Sequence, residues 1–155
     1  LKKINSLLIS AFLVVISTQS IAGVKEKKAI RALNATVQTQ TEAAKVACGN
    51  AALTSEVEVD AKFTPHNIKI ADSNAKDFFE GLIDACKDAD YKEEISKITQ
   101  LQVSLSDATK KTGTSTKIHG ELTLEGTSLL VKVHVKYSFS NGSSSTASNA
   151  VKGLF

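Results

Sequence analysis

Histidines, cysteines and clustered carboxylates are the residues in this chain whose types and spacing could support chemistry. The histidines are His66, His119 and His134. His119 and His134 lie in two segments that alternate apolar and polar residues, so their relation depends on how those segments pair. Both segments must keep their apolar positions on one face, and by parity this excludes a three-residue turn between them. A two-residue turn at Glu125 and Gly126 would set His119 opposite Lys132. A four-residue turn over 125–128 would set His119 opposite His134 and Glu121 opposite Lys132, a favourable cross-strand ion pair, at the cost of placing Lys117 against Lys136. In that second register His119, His134 and Glu121 form a patch on the exposed face of a sheet. Two imidazoles and a carboxylate can bind a transition metal or move protons. A flat solvated face, however, lacks the cleft that shields a reaction, so neither a metal nor a cofactor is expected.

The carboxylates concentrate between residues 72 and 94, where eight acids stand against three lysines. Asp77, Glu80 and Asp84 share one side of a helical pattern. Close carboxylates can divide acid and base roles, as a small hydrolase would require. A calcium loop of the D-x-D-x-D-G type is absent, as are G-x-S-x-G, a phosphate-binding loop and H-E-x-x-H. The expectation is therefore a charged, solvated helix face and no catalytic activity. Residues 23–47 are the counterpart, with five basic and two acidic residues. Lys25, Lys27, Lys28 and Arg31 crowd the start of a helix, where the backbone dipole disfavours positive charge. Pairing with the acidic helix is the simplest relief, ahead of a membrane surface or a partner.

Cys48 and Cys86 are the two cysteines. They lack the C-x-x-C spacing of a redox pair and the four close ligands of a zinc site. In an oxidising compartment such an isolated pair forms a disulfide.

That compartment is suggested by residues 1–22. Lys2 and Lys3 are followed by an uncharged stretch with an apolar run over 7–16, and then by small residues at Ser20 and Ala22. Basic start, apolar run and small-residue cleavage site are the parts of a secretory signal. The run is shorter than the ~20 residues needed to span a bilayer. Cleavage before Gly23 is expected, leaving residues 23–155 as one exported, periplasmic or secreted domain with no transmembrane span. Two of the 19 basic residues leave with the signal while all 16 acids stay, so the remaining chain carries a net charge of +1. Such a balance gives no general field for nucleic acid, which is excluded as a partner.

The elements that would position these residues follow from periodicity. Ile30, Leu33, Val37 and Ala44 recur at helical spacing over 24–47, with Gly49 as the stop. Residues 56–63 alternate, with Val57, Val59, Ala61 and Phe63 on one side, as in a half-buried strand ended by Thr64 and Pro65. Ile68 and Ile70 suggest a short extended piece. Asp72 or Ser73 then caps a second helix whose apolar stripe includes Phe78, Leu82 and Cys86. Asp90 with Glu93 suggests a further short helix over 91–97. Three strands follow, around Leu101 to Leu105, Ile118 to Leu124 and Leu129 to Phe139. Residues 140–149, almost all Ser, Thr, Asn, Gly and Ala, read as a flexible loop or tail.

The predicted architecture is α+β: an antiparallel sheet of about four strands, two main helices packed on one face, and one disulfide. Its function is read as non-catalytic binding of an unknown protein partner through the free sheet face or an edge strand. One alternative is a carrier for a small apolar ligand, in a cavity lined by Phe63, Phe78, Phe79, Tyr137 and Phe139. The other is the hydrolase built on Asp77, Glu80 and Asp84.

Overall fold

The computed structural model describes residues 23–107, 111–112, 116–117, 120–136 and 144–155. Among them are four helices, a four-stranded sheet and a separate two-stranded pair.

Helix α1 spans Val24–Cys48. Leu33, Val37, Thr41, Ala44 and Cys48 step by three or four residues and are buried, the pattern of one core-facing stripe. The helix ends where expected. Gly49 takes the left-handed conformation (φ 67°), and the amides of Gly49 and Asn50 donate to the carbonyls of Val46 and Lys45.

Strand β1 covers only Thr54–Glu58, shorter than the alternation over 56–63 implies. Asp60 is the reason. Its Oδ1 accepts from the Lys62 amide at 2.9 Å and its carbonyl from the Phe63 amide at 3.1 Å. This side-chain-stabilised turn ends the strand and drops Phe63 into the core.

Helix α2 spans Pro65–Ala85 and begins well before the predicted start at Asp72 or Ser73. Thr64 accepts from the Asn67 amide while Asn67 Oδ1 accepts from the Thr64 amide, a reciprocal capping box, and Pro65 sits in the first turn. Pro65 therefore opens a helix rather than merely closing a strand. Ile68 is the first buried residue of the stripe that continues through Ala71, Ala75, Phe78 and Leu82. Helix α3 is short, Ala89–Ile95, capped by Asp88 rather than Asp90.

The remaining strands are β2 (Gln100–Ser106), β3 (Lys111–Thr112), β4 (Thr116–Lys117), β5 (Gly120–Glu125) and β6 (Ser128–His134). The main sheet has the order β1-β2-β6-β5, and β3 with β4 forms a separate antiparallel pair. The sheet is mixed, not antiparallel as predicted: β1 is parallel to β2, β2 is parallel to β6, and only β5 and β6 are antiparallel. The connections explain this. Helices α2 and α3 form a crossover that returns the chain to the end where β1 began, as parallel neighbours require. The segment between β2 and β6 does the same, with β5 placed on the outer edge. A tight turn joins only β5 to β6. It is a two-residue turn, Gly126 and Thr127, closed by the pair Glu125 and Ser128. Gly126 has φ 61°, which the first central position of such a turn favours for glycine.

Helix α4, Ser144–Lys152, takes up residues 144–149 of the segment expected to be flexible; residues 140–143 lie outside the described residues. Its polar composition conceals a buried pair at helical spacing, Ala147 and Val151. The core cluster joins these to residues of α1 and α2 and to Leu101, Val103, Leu129, Val131 and Val133 of the sheet. Cys48 and Cys86 form the predicted disulfide, tying the C-terminal ends of α1 and α2 with a Cα–Cα distance of 5.1 Å.

Candidate functional site

The register sorts the sheet residues into two faces. On one, Val57, Val103, Val131 and Leu122 stand in a row, with Leu101, Leu129 and Leu124 beside them. The opposite face carries Glu56, Gln102, Leu130 and Thr123 in one row and Glu58, Ser104, Lys132 and Glu121 in the next. Successive side chains of a strand point to opposite sides, so burying the apolar rows presents these residues together.

A shallow concavity of about 230 Å³ lies on this polar face, lined by Glu56, Glu58, Gln102, Ser104, Leu130 and Lys132, with Val103 at its base. The right-handed twist of a sheet makes such a face saddle-shaped rather than flat. The two glutamates come from the edge strand β1, and Lys132 comes from the central strand β6. Lys132 also reaches Glu121 on β5, 3.7 Å away, and both side chains are nearly half exposed. Carboxylates, an amide, a hydroxyl and an ammonium around one leucine can recognise a polar chain that has some apolar surface. They form no nucleophile–base pair.

The residues singled out in the sequence are scattered relative to this concavity. The Glu121–Lys132 pairing holds in the structure. It is the register of the second alternative, reached with a shorter turn. His119 lies outside the described residues. His134 is buried, only 4% exposed, instead of standing on an open surface. Its carbonyl accepts from Asn74 Nδ2 at 2.6 Å, and its Nδ1 accepts from the Lys136 amide at 3.0 Å. An Nδ1 occupied in this way is not available to a metal. His66 is exposed in the first turn of α2. Among the described residues no group of three or more His, Cys, Asp or Glu could hold a metal ion.

The α2 carboxylates differ in environment. Asp77 is half-buried; desolvation raises its pKa above the usual carboxylate value, and repulsion from Glu80 adds to the rise. Asp84 moves the opposite way. Its hydrogen bond to Lys87, at 2.9 Å, lowers its pKa, and a second from Ser148 helps. Asp84 is thereby committed to holding α4 and its own helix surface. The aromatic residues expected to line a ligand cavity include Phe78 and Phe79. Both are fully buried and pack edge to face, ring centroids 5.2 Å apart. Tyr137 and Phe139 lie outside the described residues.

A second concavity, about 380 Å³, is lined by Asp90, Tyr91, Glu93, Glu94 and Phe155. Lys152 reaches toward it, 5.0 Å from the Tyr91 ring centroid and 3.8 Å from Asp88.

Sequence reasoning missed the groove as a unit. Glu56, Glu58, Gln102, Ser104 and Lys132 are the polar half of three alternating segments, which is a readable signal. That β1, β2 and β6 are neighbours is not readable, because it depends on strand order.

No helix among the described residues is long and apolar enough to cross a membrane. No family model, curated protein or solved structure matches the chain.

Proposed function

We propose that this protein is an exported, non-catalytic binding domain that uses the polar face of its sheet. In this reading α1 and α2 pack on the apolar face, and the opposite face stays open to a partner. The observation that carries it is the groove bounded by Glu56, Glu58, Gln102, Ser104, Leu130 and Lys132. Three neighbouring strands build it, so its geometry is fixed by ladder hydrogen bonds rather than by loops. Its mixed polar lining, with one half-buried leucine, suits an extended protein segment. The disulfide and the signal-like composition of residues 1–22 support an oxidising, extracytoplasmic setting.

The test fills the groove. A Ser104→Arg/Leu130→Arg variant leaves the buried face untouched and should keep the wild-type circular dichroism and melting temperature. Immobilised wild type, presented with the contents of the export compartment, should retain a partner that the variant loses. Equal retention by both, or no retained partner, overturns the reading. Export itself is tested by fractionation and N-terminal sequencing: the expected first residue is Gly23, and an intact cytoplasmic chain refutes it.

A further inference from the structure

The first two turns of α1 carry a charge pattern that nothing within the described fold accounts for. Lys25, Lys27, Lys28 and Arg31 are all exposed. The sequence suggested pairing with the acidic helix, but no ion pair joins the two among the described residues; of the α2 acids, Asp72 pairs with Lys76 and Asp84 with Lys87 within their own helix and its end. None of the four cations has an acidic partner among the described residues.

Their arrangement is one-sided. At about 100° per residue, Val24, Lys28 and Arg31 fall on one line, with Lys25 and Lys27 flanking it. Leu33, Val37, Thr41 and Ala44 occupy the opposite, buried side. Glu26, the one acid in this stretch, falls toward the buried side and is half-buried. The outward surface is therefore cationic without interruption, and Val24 stands within it, 85% exposed. None of the concavities described above includes these residues.

We infer that the outward face of Val24–Arg31 docks this domain onto an anionic lipid bilayer. Three of the four cations are lysines, compact charges on flexible stems that answer to a diffuse field rather than to a shaped partner. A continuous band of exposed cations along one helix side is complementary in charge to a broad anionic surface. Val24, on the midline of this face at the N-terminal end of α1, provides an apolar side chain that can enter the headgroup region while the lysines remain at its edge. The apolar run over residues 7–16 would bring the start of α1 to a membrane during export. In that one respect the inference rests on the export reading, which fractionation tests separately. The docking face and the sheet groove share no residue, so a membrane-held domain keeps its groove free.

Each charge reaching an anionic surface strengthens binding by roughly fivefold. Residues 23–31 carry a net +3, so the patch as a whole is expected to contribute on the order of a hundredfold. The experiment is vesicle flotation of residues 23–155, the portion that contains every described element and the buried cluster of the described residues. Vesicles of phosphatidylcholine alone are compared with vesicles containing about 30% phosphatidylglycerol. Binding to the anionic vesicles only is expected, and it should disappear as salt rises from about 0.05 to 0.5 M. A Lys25→Glu/Lys28→Glu/Arg31→Glu variant should lose binding by on the order of a hundredfold or more. Lys25→Gln/Lys28→Gln should give an intermediate loss, and unchanged thermal melts would show that both variants fold. Equal binding to neutral vesicles, no binding to anionic ones, or undiminished binding by the folded glutamate variant overturns the inference. Capture of an acidic protein without vesicle binding does so too.

Discussion

Gly81 of α2 and Ala147 of α4 meet at backbone contact. A Cβ placed on Gly81 would lie 2.6 Å from both the Ala147 carbonyl carbon and the Ser148 amide nitrogen. This close approach lets a nearly all-polar helix bury Ala147, Ser148 and Val151. Gly81→Ala removes a helix-interior glycine, a gain of about 1 kcal/mol. Against that it forces two helix backbones apart, an overpacking cost of about 1–3 kcal/mol. Net destabilisation is expected, measured by urea unfolding. Ala147→Gly added to Gly81→Ala should recover part of it, giving a non-additive double-mutant cycle. A stabilised Gly81→Ala would show that the contact is loose.

The disulfide closes a loop with a sequence separation of 38 between Cys48 and Cys86. Replacing both cysteines with alanine should cost roughly 3–4 kcal/mol by loop-closure entropy. Cys48 and Cys86 are buried, so some lost packing adds to this. The denaturant midpoint of the double variant should fall at or below that of the wild type measured with reductant, and both should lie below that of the oxidised wild type.

Asn50, 3% exposed, uses its Nδ2 to hold two carbonyls, Ile95 at 3.2 Å and Ile98 at 2.6 Å. It fastens the turn after α1 to the loop that leads into β2. Asn50→Ala leaves those carbonyls without that donor and should destabilise by about 1–3 kcal/mol. Asn50→Asp should be worse at neutral pH, because a buried carboxylate would face two carbonyl oxygens, and should improve as pH falls. Identical behaviour of the two variants across pH would contradict this account.

Asp77 gives a pH dependence of definite sign. Its folded pKa is raised above the ordinary 3.8, mainly by burial and then by Glu80. The native state therefore holds this proton more tightly than the unfolded chain does. Its contribution to stability falls as pH rises from the ordinary carboxylate range through the raised value. Asp77→Asn should raise the melting temperature at pH 7 and have little effect near pH 3. Asp84 and Asp107 are shifted the other way, by Lys87 and Lys62 respectively. Their contributions are present above the ordinary value and fade as pH falls through the lowered ones. Melting temperature against pH for the wild type and Asp77→Asn reads both signs.

Much of the local structure was legible in the sequence because its causes are local. The α1 stripe and its glycine stop, the turn glycine Gly126 and the alternation of β2, β5 and β6 follow from spacing along the chain, and the pairing of the two cysteines from their being the only two. The misreadings have equally specific causes. Pro65 closes a strand and opens a helix, and only the reciprocal Thr64–Asn67 bonds decide that it does the second. Asp60 ends β1 although the alternation runs on, because its side chain offers the backbone a turn. The polar tract over 144–149 becomes helical because Gly81, in a distant helix, leaves room for it.

Residue type and spacing along the chain set which positions are apolar, at what period they recur and where the backbone can turn. Tertiary structure alone decided strand order and strand direction. Alternation marks a buried side without naming the neighbour, and parallel and antiparallel pairing bury the same side equally well. It therefore also decided that Glu56, Glu58, Gln102, Ser104 and Lys132 share one groove, and that His134 lies buried beside Asn74 instead of exposed.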